Sequence, residues 1–340
     1  MRITTPVRLG AVALAASLTL VACGSGDDGD AAGGGETKTL RLALNQTEQH
    51  PSFVALDNFG KRLEEATDGR LGIQVYPNAT LGAQQEALQL VSDGTVDLAI
   101  VSGTQLENLN KDFSVFNLPL VFDSIESQMK TIHDPAVVGD LYSSLEANNK
   151  VTVVGGFTQG TRNVYSKKGP VNTPADLSGQ KIRVQESELH TSMISAMGAS
   201  ATPMEFGEVY TALQSGVLDG AENNEVSYVT QKHYEVAKFY SRTNHLVGLD
   251  FLIVNSDLLK GFSAEDKAAF DKEWAAAYAE HTDLWAKDTE KSIATAEAAG
   301  AKFNEVDAAA FEAVLKPLTD KFLTSDAQRK IYDAAQSAGS

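Results

Sequence analysis

The stretch "SAEDKAAFDKEWAAAYAEHTDLWAKDTEKSIATAEAAG" (263–300) decides between the folds open to this chain. From Ser263 to Ala299 it holds neither Pro nor Gly, the two residues that most readily interrupt a helix. Ser263-Ala-Glu-Asp266 reads as a capping box at its start, and Gly300 stands where a helix stops. Phe270, Trp274, Tyr278 and Trp285 recur near helical spacing, with alanines between them. Read as one helix it has roughly 35 residues and a length of about 50 Å. That exceeds the width of a small lobe, so such a helix has to lie along two of them. The alternative is a pair of ordinary helices broken near "EHTD" (280–283).

Upstream, strand and helix patterns alternate. "LRLALN" (40–45), "LGIQVYP" (71–77) and "VDLAIVSG" (96–103) read as strands, the last of the buried kind. "PSFVALDNFGKRLEEATDG" (51–69) and "AQQEALQLVSDG" (83–94) read as helices that stop at Gly69 and Gly94. This βαβαβ opening predicts an open, mostly parallel sheet with helices on both faces. Residues 124–149 read as mainly helical, and "KVTVVGGF" (150–157) returns to the sheet. The pattern then restarts with shorter elements: strands "TRNVYSKK" (161–168) and "GQKIRVQ" (179–185), helices at 187–198 and 207–216, and "VLDGAENN" (217–224) running from strand to loop. "LDFLIVNSD" (249–257) rejoins the first sheet, and amphipathic stretches at 307–323 and 325–337 end the chain. The expected fold is therefore α/β and two-lobed, like periplasmic binding proteins, with the long helix spanning both domains. Domain I takes 39–159 plus about 249–288, and domain II takes 160–248 plus about 289–340.

The N-terminus places this domain outside the cytoplasm. In "MRITTPVRLGAVALAASLTLVACGSG" (1–26), Arg2 and Arg8 precede an apolar run from Leu9 to Leu20 that is short for a membrane span. Leu20-Val21-Ala22-Cys23 resembles a bacterial lipobox, which makes 1–22 a signal peptide and Cys23 the lipid attachment point; a leftover thiol is the other reading. Cys23 is the sole cysteine, so no disulfide framework exists. The Gly/Asp/Ala run that follows reads as a flexible tether over 23–38, without the ligand spacing of a calcium loop. With 45 acidic against 28 basic residues the net charge is −17, which argues against nucleic acid or anionic lipid as partners.

Catalytic signatures are absent from the sequence. It has no G-x-S-x-G elbow, no phosphate-binding G-x-x-x-x-G-K-[ST] loop and no G-x-G-x-x-G. "GGFTQG" (155–160) reads as a turn after a strand. The six histidines never pair at i, i+4, so neither a zinc site nor any other metal or cofactor is expected. In "SGQKIRVQES" (178–187), Ile182 and Val184 alternate with Lys181, Arg183 and Gln185 as in a half-buried strand. Periodicity alone leaves Arg183 facing either water or a cleft.

The segments "HPSFVALDNFGKRLEEATDGRLGIQVYPNATLG" (50–82), "LVSDGTVDLAI" (90–100), "FNLPLVFDS" (116–124), "TPADLSGQKIRV" (173–184), "EVYTALQSGVLDGAENN" (208–224) and "KFYSRTNH" (238–245), followed by the long helix, carry a family resemblance. In that order and spacing they resemble the solute-binding proteins of tripartite ATP-independent periplasmic (TRAP) transporters, of the DctP type. The resemblance implies capture of a small carboxylate in an interdomain cleft. The loaded protein is then delivered to a transporter with large and small integral membrane subunits, driven by an ion gradient, usually sodium. It also implies a monomer, and with the lipobox reading of Cys23 the protein is expected to touch the membrane through its N-terminal lipid only.

Residue by residue, the resemblance puts the carboxylate clamp on Arg183, a second cationic or polar contact on Arg162 and a ligand contact on Asn223. Asn45, Phe206, His245, Ser102, Gln84 and Glu222 are further cleft candidates. Ser102 and Gln84 are neutral where some relatives place acids, a departure from a sialic-acid-type polar network that leaves a different organic acid equally open. Because so acidic a protein repels an organic anion at long range, the cleft has to be locally positive, and arginines on two neighbouring strands could make it so. Other readings of the same architecture are an ABC-transporter solute-binding lipoprotein, a ligand-sensing protein and a lipid-anchored enzyme acting on a carboxylated substrate.

Overall fold

A computed structural model describes residues 38–339. The signal peptide, Cys23 and the tether up to residue 37 lie outside the described residues. Lys38, expected to close the tether, already pairs with Leu71 in the sheet. The described residues contain β1 (Lys38–Ala43), β2 (Leu71–Tyr76), β3 (Leu98–Ser102), β4 (Val151–Ser166), β5 (Lys181–Val184), β6 (Ser200–Pro203), β7 (Gly220–Asn223), β8 (Phe239–Asn255) and β9 (Lys302–Glu305). They form one sheet in the order β2-β1-β3-β8-β4-β7-β5-β6, with β9 also beside β8. The flanks are parallel, as the βαβαβ pattern requires: β1 with β2 and β3, and β5 with β6 and β7. The centre is antiparallel, because β8 runs against both β3 and β4.

The two central strands are the main departure from the sequence reading. β4 has 16 residues and β8 has 17, where shorter, separate elements were expected. "GGFTQG" is no turn but the middle of β4. Gly155 and Gly160 take φ of +127° and +58°, and the ladder to β8 slips between Val153 and Gly156 and between Thr158 and Thr161. Extra residues at such slips bend a strand without ending it. Neither glycine has room for a β-carbon: at Gly155 it would meet the His133 ring and then the Trp274 indole, and at Gly160 the Trp285 indole.

Both tryptophans belong to one continuous helix, Ala264–Ala298, of 35 residues. Ser263 caps it by accepting from the Asp266 amide at 3.0 Å, and the Asp266 carboxylate accepts from Arg70 Nε, also at 3.0 Å. No break occurs at "EHTD", because His281 is held inside: its ring stacks on Phe157 with centroids 4.1 Å apart and its Nε2 meets Ser52 Oγ at 3.1 Å. The first half of the helix packs Phe270, Trp274 and Ala277 against Leu40, Leu56, Phe59, Leu98 and Leu252. Near its other end Ala296 joins a second core with Tyr165, Tyr228 and Tyr240. Each large apolar side chain so buried contributes about 1.5–3 kcal/mol, so the helix is held by both cores. A third, larger core under the other sheet face joins Val101, Phe113 and Phe251 to Ile182, Met193 and Phe311.

The stretch at 307–323 divides at Pro317 into Ala308–Leu315 and Pro317–Phe322, since proline cannot donate within a helix. The last helix, Asp326–Ala338, returns to the first half of the chain: Gln328 Nε2 donates to Lys111 O at 3.1 Å and Gln336 Nε2 to Val121 O at 2.9 Å. Among the described residues no helix is long and apolar enough to cross a membrane.

Candidate functional site

The two arginines are not on adjacent strands. β7 lies between β4 and β5, with Asn223 opposite Asn163 of β4 and Ala221 opposite Arg183 of β5. On β5, Ile182 and Val184 enter the large core, so Arg183 takes the other face. The intervening strand carries Glu222, and this sets the electrostatics of the site.

Arg162 is spoken for. Its Nε donates to Glu222 Oε2 at 2.6 Å and its Nη2 to Glu222 Oε1 at 2.7 Å, a bidentate charge pair. Nη2 also donates to the Glu222 carbonyl and Nη1 to Asn223 Oδ1, each at 3.0 Å. Four of the five guanidinium donors are thus used. Glu222 is buried, which alone would raise its pKa, but Arg162, His190 and His245 hold it well below the usual carboxylate range. His245 Nε2 lies 3.4 Å from Glu222 Oε2, and its Nδ1 meets Thr243 Oγ1 at 2.9 Å. A carboxylate only accepts, so the imidazole donates from Nε2; burial pushes its pKa down.

Arg183 is equally buried, at 3% exposure, yet only its Nε is used, donating to Met204 O at 2.8 Å. Its two terminal amino groups make no hydrogen bond or ion pair among the described residues. Burial, opposed by Glu222 and reinforced by Arg162, pulls its pKa down. Phe206 lies 5.7 Å from the guanidinium carbon, within cation–π range. An oriented guanidinium with two free donor groups facing a cavity is a binding site for a planar anion, above all a carboxylate.

These groups face one cavity, which gathers Arg183, Arg162, Asn223, Asn45, Phe206 and Gln84. The other three candidates do not line it. Glu222 and His245 sit behind Arg162, whereas Ser102 sits beside the cavity, donating from Oγ to Gln185 Oε1 at 2.6 Å and from its amide to Gln84 Oε1 at 3.0 Å. Gln46, Gln105, Gln159, Gln185, Glu186, Met204, Glu205 and Asp250 also line the cavity and were not singled out from sequence. Asn45 Oδ1, Gln46 Oε1 and Gln159 Nε2 are buried without a partner among the described residues, so the wall offers both acceptors and donors. The glutamines look like ordinary loop or strand-end residues in sequence and gave no signal. Asp250 did give one, a lone acid inside the apolar run "LDFLIVN" (249–255). No group of three or more His, Cys, Asp or Glu among the described residues could hold a metal ion.

Residues 42–326 match the family model for bacterial extracellular solute-binding protein, family 7 (DctP). The fold is similar to a TRAP periplasmic solute-binding protein of Anaerococcus prevotii solved with bound α/β-D-glucuronate: TM-score 0.85, 36% identity, covering 89% of this chain and 98% of that one. It is also similar to one from Xanthobacter autotrophicus solved with β-D-galacturonate: TM-score 0.83, 30% identity, covering 88% and 99%. In sequence the chain is 33% identical over 280 residues to the C4-dicarboxylate-binding periplasmic protein DctP of Rhodobacter capsulatus, covering 80% of this chain and 82% of that protein. The two-lobe α/β fold, the cavity and these matches agree: the chain belongs to the DctP family of extracytoplasmic solute-binding proteins, which serve TRAP transporters and are not enzymes.

Proposed function

We propose that Arg183 is the group by which this TRAP solute-binding protein holds its ligand, clamping the carboxylate of a hydroxylated organic acid of the hexuronate type. The observation that carries this reading is the buried guanidinium of Arg183 with both terminal amino groups unpaired inside the cavity. Around it, Asn223 offers its amide nitrogen, Phe206 a ring face and Asn45 an unpartnered acceptor. Arg162 adds one remaining N–H, while Glu222 and His245 keep it in place. Ser102 and Gln84 brace the cavity wall, and the Ser102 bond to Gln185 links β3 to the segment after β5. The sugar acids bound by two similar structures support the ligand class.

The rest of the reading is organisational. Residues 39–159 with about 249–288 make one domain, and 160–248 with about 289–340 the other. The slips in β4 between the two halves support this division, with the final helix crossing back onto the first domain. Cys23, after a lipobox-like run, carries the membrane anchor, and the protein works as a monomer, the form the family resemblance implies.

Titration calorimetry with D-glucuronate and D-galacturonate tests the clamp. Arg183→Ala removes half of a buried charge pair and is expected to cost about 2–5 kcal/mol, more than about 30-fold in affinity. Arg183→Lys keeps the charge but loses the two-pronged geometry and recovers little of it. Affinity unchanged in Arg183→Ala would exclude the assigned role.

A further inference from the structure

Asp250 is the lining group that a carboxylate clamp leaves unexplained. It stands in β8 between Ser102 of β3 and Phe157 of β4, only 5% exposed. Along the same face of β8, Leu252 and Val254 sit in the apolar core, so the position next to them is one where a carboxylate is expensive. Its carboxyl has no hydrogen bond among the described residues, and it opens into the same cavity as Arg183. A buried acid without a protein partner needs one from elsewhere.

The charges around it narrow what that partner is. Of the two arginines in the cavity, Arg162 is neutralised by Glu222, which leaves Arg183 as the unpaired cation among its lining residues. Glu186 and Glu205 line the cavity as well. One ligand carboxylate is therefore matched by Arg183, and a second would meet acids and no free cation. Asn45 Oδ1 and Gln46 Oε1 want donors and Gln159 Nε2 wants an acceptor; the Asp250 carboxylate, lining the same cavity, accepts as well. Hydroxyl groups supply both, whereas a succinate-like dianion supplies no donor and an ammonium no acceptor.

We propose that Asp250 sets the ligand class: it accepts a hydrogen bond from a ligand hydroxyl and repels a second carboxylate, so the site takes polyhydroxylated monoanions and rejects dicarboxylates. This rests on the assignment of Arg183 as the clamp. It adds a second, separate element that selects by what lies at the far end of the ligand.

The test is a calorimetric panel at pH 8, where Asp250 is mainly ionised, on the full folded protein: D-glucuronate, D-galacturonate, cyclohexanecarboxylate, succinate and L-glutamine, each against wild type, Asp250→Asn and Arg183→Ala. Wild type is expected to bind a hexuronate at least tenfold more tightly than every other acid in the panel. Asp250→Asn is expected to weaken the hexuronate at least tenfold and to narrow its margin over succinate by a similar factor. The ligand series on wild type needs no substitution, so it decides even where the variant folds poorly. Wild type preferring succinate or L-glutamine overturns the inference. So does Asp250→Asn weakening hexuronate and succinate equally, or leaving hexuronate within twofold. Loss of all binding in Arg183→Ala would uphold the clamp whatever Asp250 does, and a wild type that binds no acid overturns both.

Discussion

Arg162 and Arg183 are buried to nearly the same depth, 4% and 3% exposed, and have opposite relations to the fold. Arg162 closes a pair with Glu222, so removing it strands a carboxylate that is itself 1% exposed. Breaking such a pair from one side costs about 3–5 kcal/mol. Arg183 is an uncompensated cation until a ligand arrives, and an apolar side chain of similar length spares that penalty. Without ligand, Arg162→Met is therefore expected to lower unfolding free energy by about 3–5 kcal/mol. Arg183→Met should leave it unchanged or raise it. Urea unfolding of the ligand-free proteins checks the contrast, and equal losses in the two would mean that Arg183 is an ordinary structural arginine. Sequence shows both arginines but not which is free. The deciding partner, Glu222, lies 60 residues from Arg162 and reaches it only because β7 pairs with β4. Asp250, by contrast, is legible in the sequence as a misfit in an apolar strand.

At the scale of elements, the long helix was readable because everything that specifies it is local: a serine cap, strong helix formers, no Pro or Gly, and apolar residues at helical spacing. The central strands were not, because their glycines mean one thing in a turn and another in a bent strand. What distinguishes the two is a tryptophan more than a hundred residues later in the sequence, against which the glycine packs. Gly160 shows the constraint most clearly, with φ of +58° and its α-hydrogen aimed at the Trp285 indole. In Gly160→Ala the left-handed backbone costs about 1–2 kcal/mol. Crowding against the indole adds about 1–3 kcal/mol. Gly169→Ala, where nothing lies within 4 Å of a new β-carbon, is the matched control and should change stability by less than about 0.5 kcal/mol. Denaturant midpoints for the two variants would separate a packed bend from a tolerant loop, and a Gly160→Ala protein as stable as the control would refute the packing argument.

For the molecule as a whole, the acid groups dominate the charge, yet buried histidines govern the response to pH. Burial pushes the pKa of His50 down to about 3. Burial, partly opposed by the Met129 carbonyl, takes His133 to about 4. Burial and the nearby Arg183 take His233 to about 3. His245 and His281 move the same way. In the unfolded chain each titrates near 6.5, so below that pH the unfolded state binds protons that the folded state refuses, and stability falls as pH falls. At pH 5 His50, His133 and His233 each cost about 2 kcal/mol. Asp250 works in the opposite sense. Burial pushes its carboxyl up to about 7 despite Arg162, so the folded state gains a proton before the unfolded state does and recovers about as much as one histidine loses. The ligand-free protein is therefore expected to lose about 10 °C of melting temperature between pH 7.5 and pH 5. Asp250→Asn, deprived of the compensating proton, should start higher at pH 7.5 and fall more steeply. Scanning calorimetry across that range is the measurement. A flat wild-type profile would mean the histidines are charged in the fold, and parallel profiles for the two proteins would mean that Asp250 is ionised throughout, with a partner in the unliganded protein.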